Sequence, residues 1–305
     1  MRRPDFFISG APRCGTTALY TYLCEHPHIF MPKVKELDYF ATDFPDLQKV
    51  HFSSIEDYLS VFAGARDHHL ALGDASPLYL YSSYAFGNIR AFNPNAKIIL
   101  TLRSPIRFVQ SIHQLNLSLL REDEEDLEKA WRLQDERKQG RHIPAGSRSP
   151  VLLMYGELGQ FGKYLQRLYE VFPREQVLVL IFEDFVCNPA DVYETILAFI
   201  EVPSDHRSEF LPVNANFKNR SSLLARLFHP PQFIYKTFMK SISLLGPGFM
   251  NSVSVVYNKL EKMNTTPTGK VPLEPEFKAL LQDHFRDDVA TLSELINRDL
   301  SFWLD

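Results

Sequence analysis

DFFISGAPRCGTTALYTYL, residues 5–23, changes its periodicity halfway along. Phe6, Phe7 and Ile8 form a short unbroken apolar run, the pattern of a strand buried on both faces. From Thr16 to Glu25 the apolar residues Leu19, Tyr22 and Leu23 recur at helical spacing. Between the two lies Gly10-Ala11-Pro12-Arg13-Cys14-Gly15, the G-x-x-x-x-G spacing of a phosphate-binding loop in its proper setting between strand and helix. Amide groups of such a loop and of the first helical turn face an anion, and the helix dipole favours negative charge there. The residue after Gly15 is Thr16, where a kinase or ATPase carries lysine; the cation of this loop is Arg13.

The same strand-to-helix reading repeats downstream. Leu70 to Ala75 is a short apolar run, and Ser53-Ser54-Ile55-Glu56 resembles a capping box opening a helix toward Phe62. KIILTL, residues 97–102, is a buried strand, with Ser104 and Pro105 placed as N-cap and first helical residue. VLVLIF, residues 177–182, is a third strand; Glu183-Asp184 follow, and Asn188-Pro189 would cap a helix running to about Ile200. Strands alternating with helices predict an α/β fold, a parallel central sheet flanked by helices, with right-handed crossovers. Ligands of such sheets sit beyond the carboxyl ends of the strands, where Gly10, Asp74, Arg103 and Glu183 all fall.

Composition bounds the function. A chain of 305 residues, 45% hydrophobic, can bury a full core, and one domain over 1–305 is expected. A net charge of -4 leaves no global basic field for nucleic acid, so any anion site is local. Cys14, Cys24 and Cys187 are odd in number and far apart, which offers neither a disulfide framework nor a metal cluster and fits a reducing compartment. MRRPDFFISG is too short and too broken for a signal or membrane span, so a soluble, cytoplasmic chain is expected. REDEEDLE, residues 121–128, reads as a solvated helical face. Residues 210–260 have no acidic residue and read as a basic, apolar segment, either core helices or a helical lid on the acceptor side.

GAPRCGTTALYTYL, residues 10–23, resembles the 5′-phosphosulfate loop of the PAPS-dependent sulfotransferases, in their bacterial and heparan-sulfate-type branch. LRSPIRFVQSIH, residues 102–113, resembles that family's second signature, an arginine at a strand end and a serine eight residues on. YLQRLYEVFPREQVLVLIFEDFVCNPADV, residues 164–192, and FKALLQDHFRDDVATLSELINRDLSFW, residues 277–303, are similar to its later blocks. The resemblance implies the P-loop-containing sulfotransferase-like fold and transfer of a sulfuryl group from PAPS to a hydroxyl, with an amine second, releasing PAP. It places the donor on Arg13, Cys14, Gly15, Thr16 and Thr17, with Arg103 and Ser111 on the 3′-phosphate. Arg13 stands where many relatives carry lysine and Cys14 where serine is common, which makes Arg13 an electrostatic clamp. Arg220 and Lys270 are expected to add charge over the nucleotide from late loops. A sulfuryl group carries less charge than a phosphoryl group, so no metal is expected.

Transfer to an alcohol needs a general base. KELDYF, residues 35–40, is similar to the segment that carries the base in heparan-sulfate-type enzymes, which makes Glu36 the base; His113 is the alternative. GDASPLY, residues 73–79, resembles the acceptor-side turn and places Lys35, Asp74 and Ser76 near the acceptor. An oligosaccharide, lipid, polyketide or carrier-bound acyl hydroxyl would serve; nucleic acid and membrane are not expected partners. A P-loop small-molecule kinase and a non-catalytic nucleotide-binding or membrane-peripheral module are the rival readings.

Overall fold

The computed structural model describes residues 2–48, 52–147, 149–211 and 272–305, and the backbone of residues 217–219 and 265–267. In chain order the strands are β1 (Phe6–Ile8), β2 (Ile29–Phe30), β3 (Ala71–Ala75), β4 (Lys97–Leu102), β5 (Val177–Ile181), β6 (Phe217–Asn219) and β7 (Thr265–Pro267). The helices are α1 (Thr16–Cys24), α2 (Ile55–Ser60), α3 (Ala85–Phe92), α4 (Pro105–Ser118), α5 (Leu127–Arg132), α6 (Gln134–Lys138), α7 (Tyr155–Leu158), α8 (Phe161–Val171), α9 (Phe182–Cys187), α10 (Pro189–Phe199) and α11 (Pro275–Ile296). They form two compact units: Met1–Val109 with Gly156–Asn214 and Pro275–Asp305, and Gln110–Tyr155 with Ala215–Glu274. The basic, apolar segment of residues 210–260, with Arg220, falls almost entirely outside the described residues, as does Lys270.

The first unit is built on a parallel sheet in the order β2-β3-β1-β4-β5. Strand pairing sets Ile8 against Ala75 on one side and Ile99 on the other, and Leu102 against Ile181. The chain passes from β3 to β4 across β1, so the order reverses at β1, and the crevice of a doubly wound sheet opens at that point. Phe6 and Ile8 pack with Leu19 and Leu23 of α1 and Tyr193, Ile196 and Leu197 of α10. Phe7, pointing to the other face, meets Phe40 edge-on at 5.9 Å and Tyr79 at 6.4 Å. Burial on both faces is why the strands carry continuous apolar runs, each phenylalanine contributing about 1.5–3 kcal/mol.

Several boundaries differ from the sequence reading by a residue, for local reasons. Ser54, not Ser53, caps α2 by accepting from the Asp57 amide (3.2 Å), while Asp57 in turn accepts from the Ser53 amide (3.0 Å). β5 stops at Ile181, and Phe182 already begins α9, putting Glu183 and Asp184 in its first turn. Asn188 precedes α10 as expected, but its side chain donates to Asp191 instead of capping a backbone amide. The N-terminus of α8 is capped from another helix: Asp288 of α11 accepts from the amides of Gly162 and Lys163, each at 2.9 Å.

In the second unit, which takes in α4 from Gln110 onward, the acidic run is not a solvated helical face. Residues 122–126 are irregular, and Glu122 is fully buried in a two-pronged pair with Arg137, both contacts at 2.7 Å. Glu122 also accepts from Tyr155 (2.8 Å) and from the amides of Asp123 and Glu124 (3.0 Å each). Such a carboxylate is tolerated inside because each of its lone pairs is matched. Asp126 ends the run as the cap of α5. β6 and β7 pair antiparallel, Phe217 opposite Pro267 and Asn219 opposite Thr265.

Candidate active site

The loop after β1 continues the sheet before it turns. Ser9 donates to Ile99, Thr101 to Gly10 (2.8 Å) and Ala11 to Thr101 (2.7 Å), so residues 9–11 are stapled to β4. Gly10, at φ 154°, has no room for a side chain, because a Cβ there would lie 2.8 Å from Leu80. Gly15, at φ 88°, starts α1 in a left-handed conformation, with its Cβ position 3.1 Å from Phe182 and Phe185. Arg13 also takes a left-handed φ of 63°, a strain of about 1–3 kcal/mol that clusters at functional positions. No side chain caps α1, whose first amides have no intrahelical acceptor. The loop therefore ends in an uncapped helix start, a geometry that can receive an anion.

Two arginines come together there. Arg103, leaving β4, donates from Nη1 to the Arg13 carbonyl (3.1 Å) and lies over the Phe182 ring at 4.7 Å. Its Nε is buried with no hydrogen-bond acceptor. Burial and then the charge of Arg103 hold the Arg13 guanidinium below its ordinary pKa. An anionic ligand would relieve both costs, so these residues fit the phosphosulfate end and a phosphate of a nucleotide donor. Cys14 plays a different part from that expected: its thiol is fully buried, and its amide donates to Ala11 within the loop (3.2 Å). Burial pushes the thiol up to about 12, so it is neutral filling beneath the loop.

A second segment approaches α1 from β2. Lys35 Nζ lies 3.4 Å from Thr16 Oγ1, 3.3 Å from Thr17 Oγ1 and 3.4 Å from Glu36 Oε1. The Lys35 ammonium, expected beside the acceptor, lies against the first two hydroxyls of α1. Glu36 and Asp38 both adopt left-handed φ values, 65° and 50°. The Glu36 amide donates to the Ala75 carbonyl (2.9 Å) and the Asp38 amide to Ser76 Oγ (3.1 Å).

Asp74 and Ser76, also expected at the acceptor, are fully buried beneath this segment. Asp74 accepts from Ser76 (2.6 Å), Tyr58 (2.9 Å) and Tyr79 (2.9 Å). Burial raises the Asp74 carboxyl above its ordinary 3.8, and the three hydroxyls oppose that shift. Both side chains thus reach Glu36 only through the backbone they hold.

His113 and Ser111 are buried on the part of α4 that belongs to the second unit. The His113 ring donates from Nε2 to the Glu124 carbonyl (2.8 Å) and meets Tyr155 edge-on, and burial lowers its pKa. That is the setting of a structural histidine.

Sequence reasoning gave no role to Glu183 or Trp303. Glu183 accepts from the Ser104 amide (3.4 Å) and from Trp303 Nε1 (3.3 Å), while Ser104 Oγ donates to the Trp303 carbonyl (2.9 Å). These contacts lock the residue next to Arg103. An acid pair directly after an apolar strand was the available signal. Among the described residues no cluster of three His, Cys, Asp or Glu is arranged for a metal, and no helix is long and apolar enough to cross a membrane.

The sulfotransferase domain model matches residues 3–223. The crystal structure of a sulfotransferase from Alicyclobacillus acidocaldarius superposes over 100% of both chains with a TM-score of 0.70 and 26% identity. Carbohydrate sulfotransferase 15 of Homo sapiens is 24% identical over 71% of this chain and 47% of its own. The bifunctional heparan sulfate N-deacetylase/N-sulfotransferase 3 of Homo sapiens is 26% identical over 70% of this chain and 24% of its own. The membrane-associated sulfotransferase kil1 of Dictyostelium discoideum is 29% identical over 38% of this chain and 23% of its own. The chain thus spans less than half the length of these curated relatives. With a parallel α/β sheet and a domain match over most of its length, the chain belongs to the sulfotransferase family.

Proposed function

We propose that this transferase moves the sulfuryl group of PAPS to a hydroxyl of its acceptor, an amine being second, and releases PAP without a metal. The observation that carries the reading is the meeting of Arg13 and Arg103 at an uncapped helix start, with Arg103 Nε buried and unmatched. Two neighbouring cations of this kind are reconciled by a ligand with more than one negative charge. PAPS supplies an activated sulfuryl group and separate phosphates.

Arg13 and the first amides of α1 stabilise the negative charge that moves onto the departing phosphate oxygen. Arg103 holds the 3′-phosphate, a role that the family signature extends to Ser111. Glu36 takes the acceptor proton as the new oxygen–sulfur bond forms and the bond from sulfur to the bridging oxygen breaks. Glu36 suits this role because its side chain is 29% exposed, open to an acceptor, while its backbone is tied to Ala75. His113 is given no part, being buried on a carbonyl. A saccharide hydroxyl is the first acceptor to test, because a carbohydrate and a heparan sulfate enzyme are among the relatives; lipid, polyketide and carrier-bound acyl hydroxyls follow.

Calorimetric titration with PAP in EDTA, beside ATP and beside Arg103→Ala, tests the reading. PAP should bind without metal, and the variant should bind about ten- to a hundredfold more weakly, the scale of losing a charge-assisted hydrogen bond. Absence of PAP binding together with magnesium-dependent ATP binding would overturn it in favour of a kinase.

A further inference from the structure

We propose that Lys35 is the group that recognises the sulfuryl end of the donor and couples its arrival to Glu36. The loop has no lysine after Gly15, yet Lys35 brings an ammonium to the same place from a separate segment, against the hydroxyls of Thr16 and Thr17 that open α1. Ammonium only donates, so both threonine hydroxyls accept from it, and a stronger anionic acceptor arriving at the helix start competes for the same protons. Among the described residues, Arg13 and Arg103 are the less mobile cations of the site. Arg103 is held by the Arg13 carbonyl and the Phe182 ring, and the Arg13 guanidinium is largely buried. Lys35 sits on a flexible four-carbon stem, with its side chain 14% exposed, and can turn between partners.

One of those partners is Glu36, at 3.4 Å. While Lys35 engages Glu36, part of the carboxylate is occupied. When Lys35 turns to a sulfuryl oxygen, it adds positive charge beside the sulfur–oxygen bond that breaks and releases Glu36 to take the acceptor proton. Lys35 donates hydrogen bonds throughout and gives up no proton; the acceptor proton ends on Glu36. The base is thereby offered only when a sulfated nucleotide is in place, since PAP has no group at that position.

The inference rests on the PAPS reading of the site, and its test separates the two. PAP and PAPS are titrated in EDTA, without acceptor, into the wild type, Lys35→Met and Lys35→Gln. The wild type is expected to bind PAPS more tightly than PAP. Each variant is expected to keep its PAP affinity within about threefold and to lose about ten- to a hundredfold of its PAPS affinity, the scale of one hydrogen bond between charged groups. The ratio of the two constants is read on one sample, so a partly unfolded variant does not distort it. Retention of the wild-type ratio, or equal loss of both nucleotides in both variants, would overturn the role of Lys35 and make it an ordinary prop of the loop. A wild type that binds neither nucleotide would instead sink the PAPS reading itself.

Discussion

Asp74 takes three hydroxyl donors in a site closed to water, and what it holds is the turn that carries Glu36. Replacing it with alanine leaves Ser76, Tyr58 and Tyr79 with unmatched buried hydroxyls and frees Ser76 Oγ, which accepts from the Asp38 amide. Asp74→Ala is expected to cost about 3–5 kcal/mol in denaturant unfolding, the range for breaking a buried polar network. Because Asp74 touches neither Arg13 nor Arg103, PAP affinity of the folded variant should stay near wild type while turnover falls at least tenfold, as Glu36 loses its left-handed pose. Calorimetry and a transfer assay on the same preparation check both halves; equal loss in the two would place Asp74 under the donor loop instead. Arg13, Thr16 and Thr17 were legible in the sequence because their loop is contiguous. The contact of Lys35 with Thr16 spans 19 residues, and no local pattern announces it. Gly73-Asp74-Ala75-Ser76-Pro77 reads alike whether its acid faces water or the core, so burial had to come from the packing of Tyr58 and Tyr79 around it.

At the scale of elements, the acidic segment between α4 and α5 ties the buried end of α4 to α6. Burial pushes the Glu122 carboxyl up, but Arg137, the Glu124 amide and the Tyr155 hydroxyl together reverse this and leave it below its ordinary 4.5. Burial likewise lowers His113 from its ordinary 6.5. Each group has a folded pKa below its unfolded one, so the unfolded chain binds more protons in the interval between. The His113 contribution is complete above about pH 6.5 and is lost as pH falls through its folded value; that of Glu122 follows below about pH 4.5. Thermal melts should therefore drop between pH 7.5 and 5.5, and His113→Gln should flatten that drop. Glu122→Gln should cost about 3–5 kcal/mol at neutral pH by leaving Arg137 charged and half-satisfied. The long strands were readable: KIILTL matches β4 to the residue, because burial on both faces writes itself as an apolar run. β2, with two residues, has too little sequence to signal, and the acidic run hid a core carboxylate because its partner stands 15 residues away.

The first unit draws on three separate stretches of chain, and the contact between Ser104 and Trp303 spans 199 residues. Contacts of that span impose the largest loop-closure entropy and form after the local helices and the β1-to-α1 turn. The support of Arg103 is thus expected to be completed late on the folding route. A nucleotide that binds through Arg103 would find no complete site in the transition state for folding. PAP should accordingly slow unfolding in proportion to its occupancy and leave the refolding rate unchanged, measured in the two limbs of a chevron plot with and without ligand. On the proposed reading, a strand end fastened to a distant tryptophan would give the donor hold over how long the enzyme lasts, with no influence on how fast it is made.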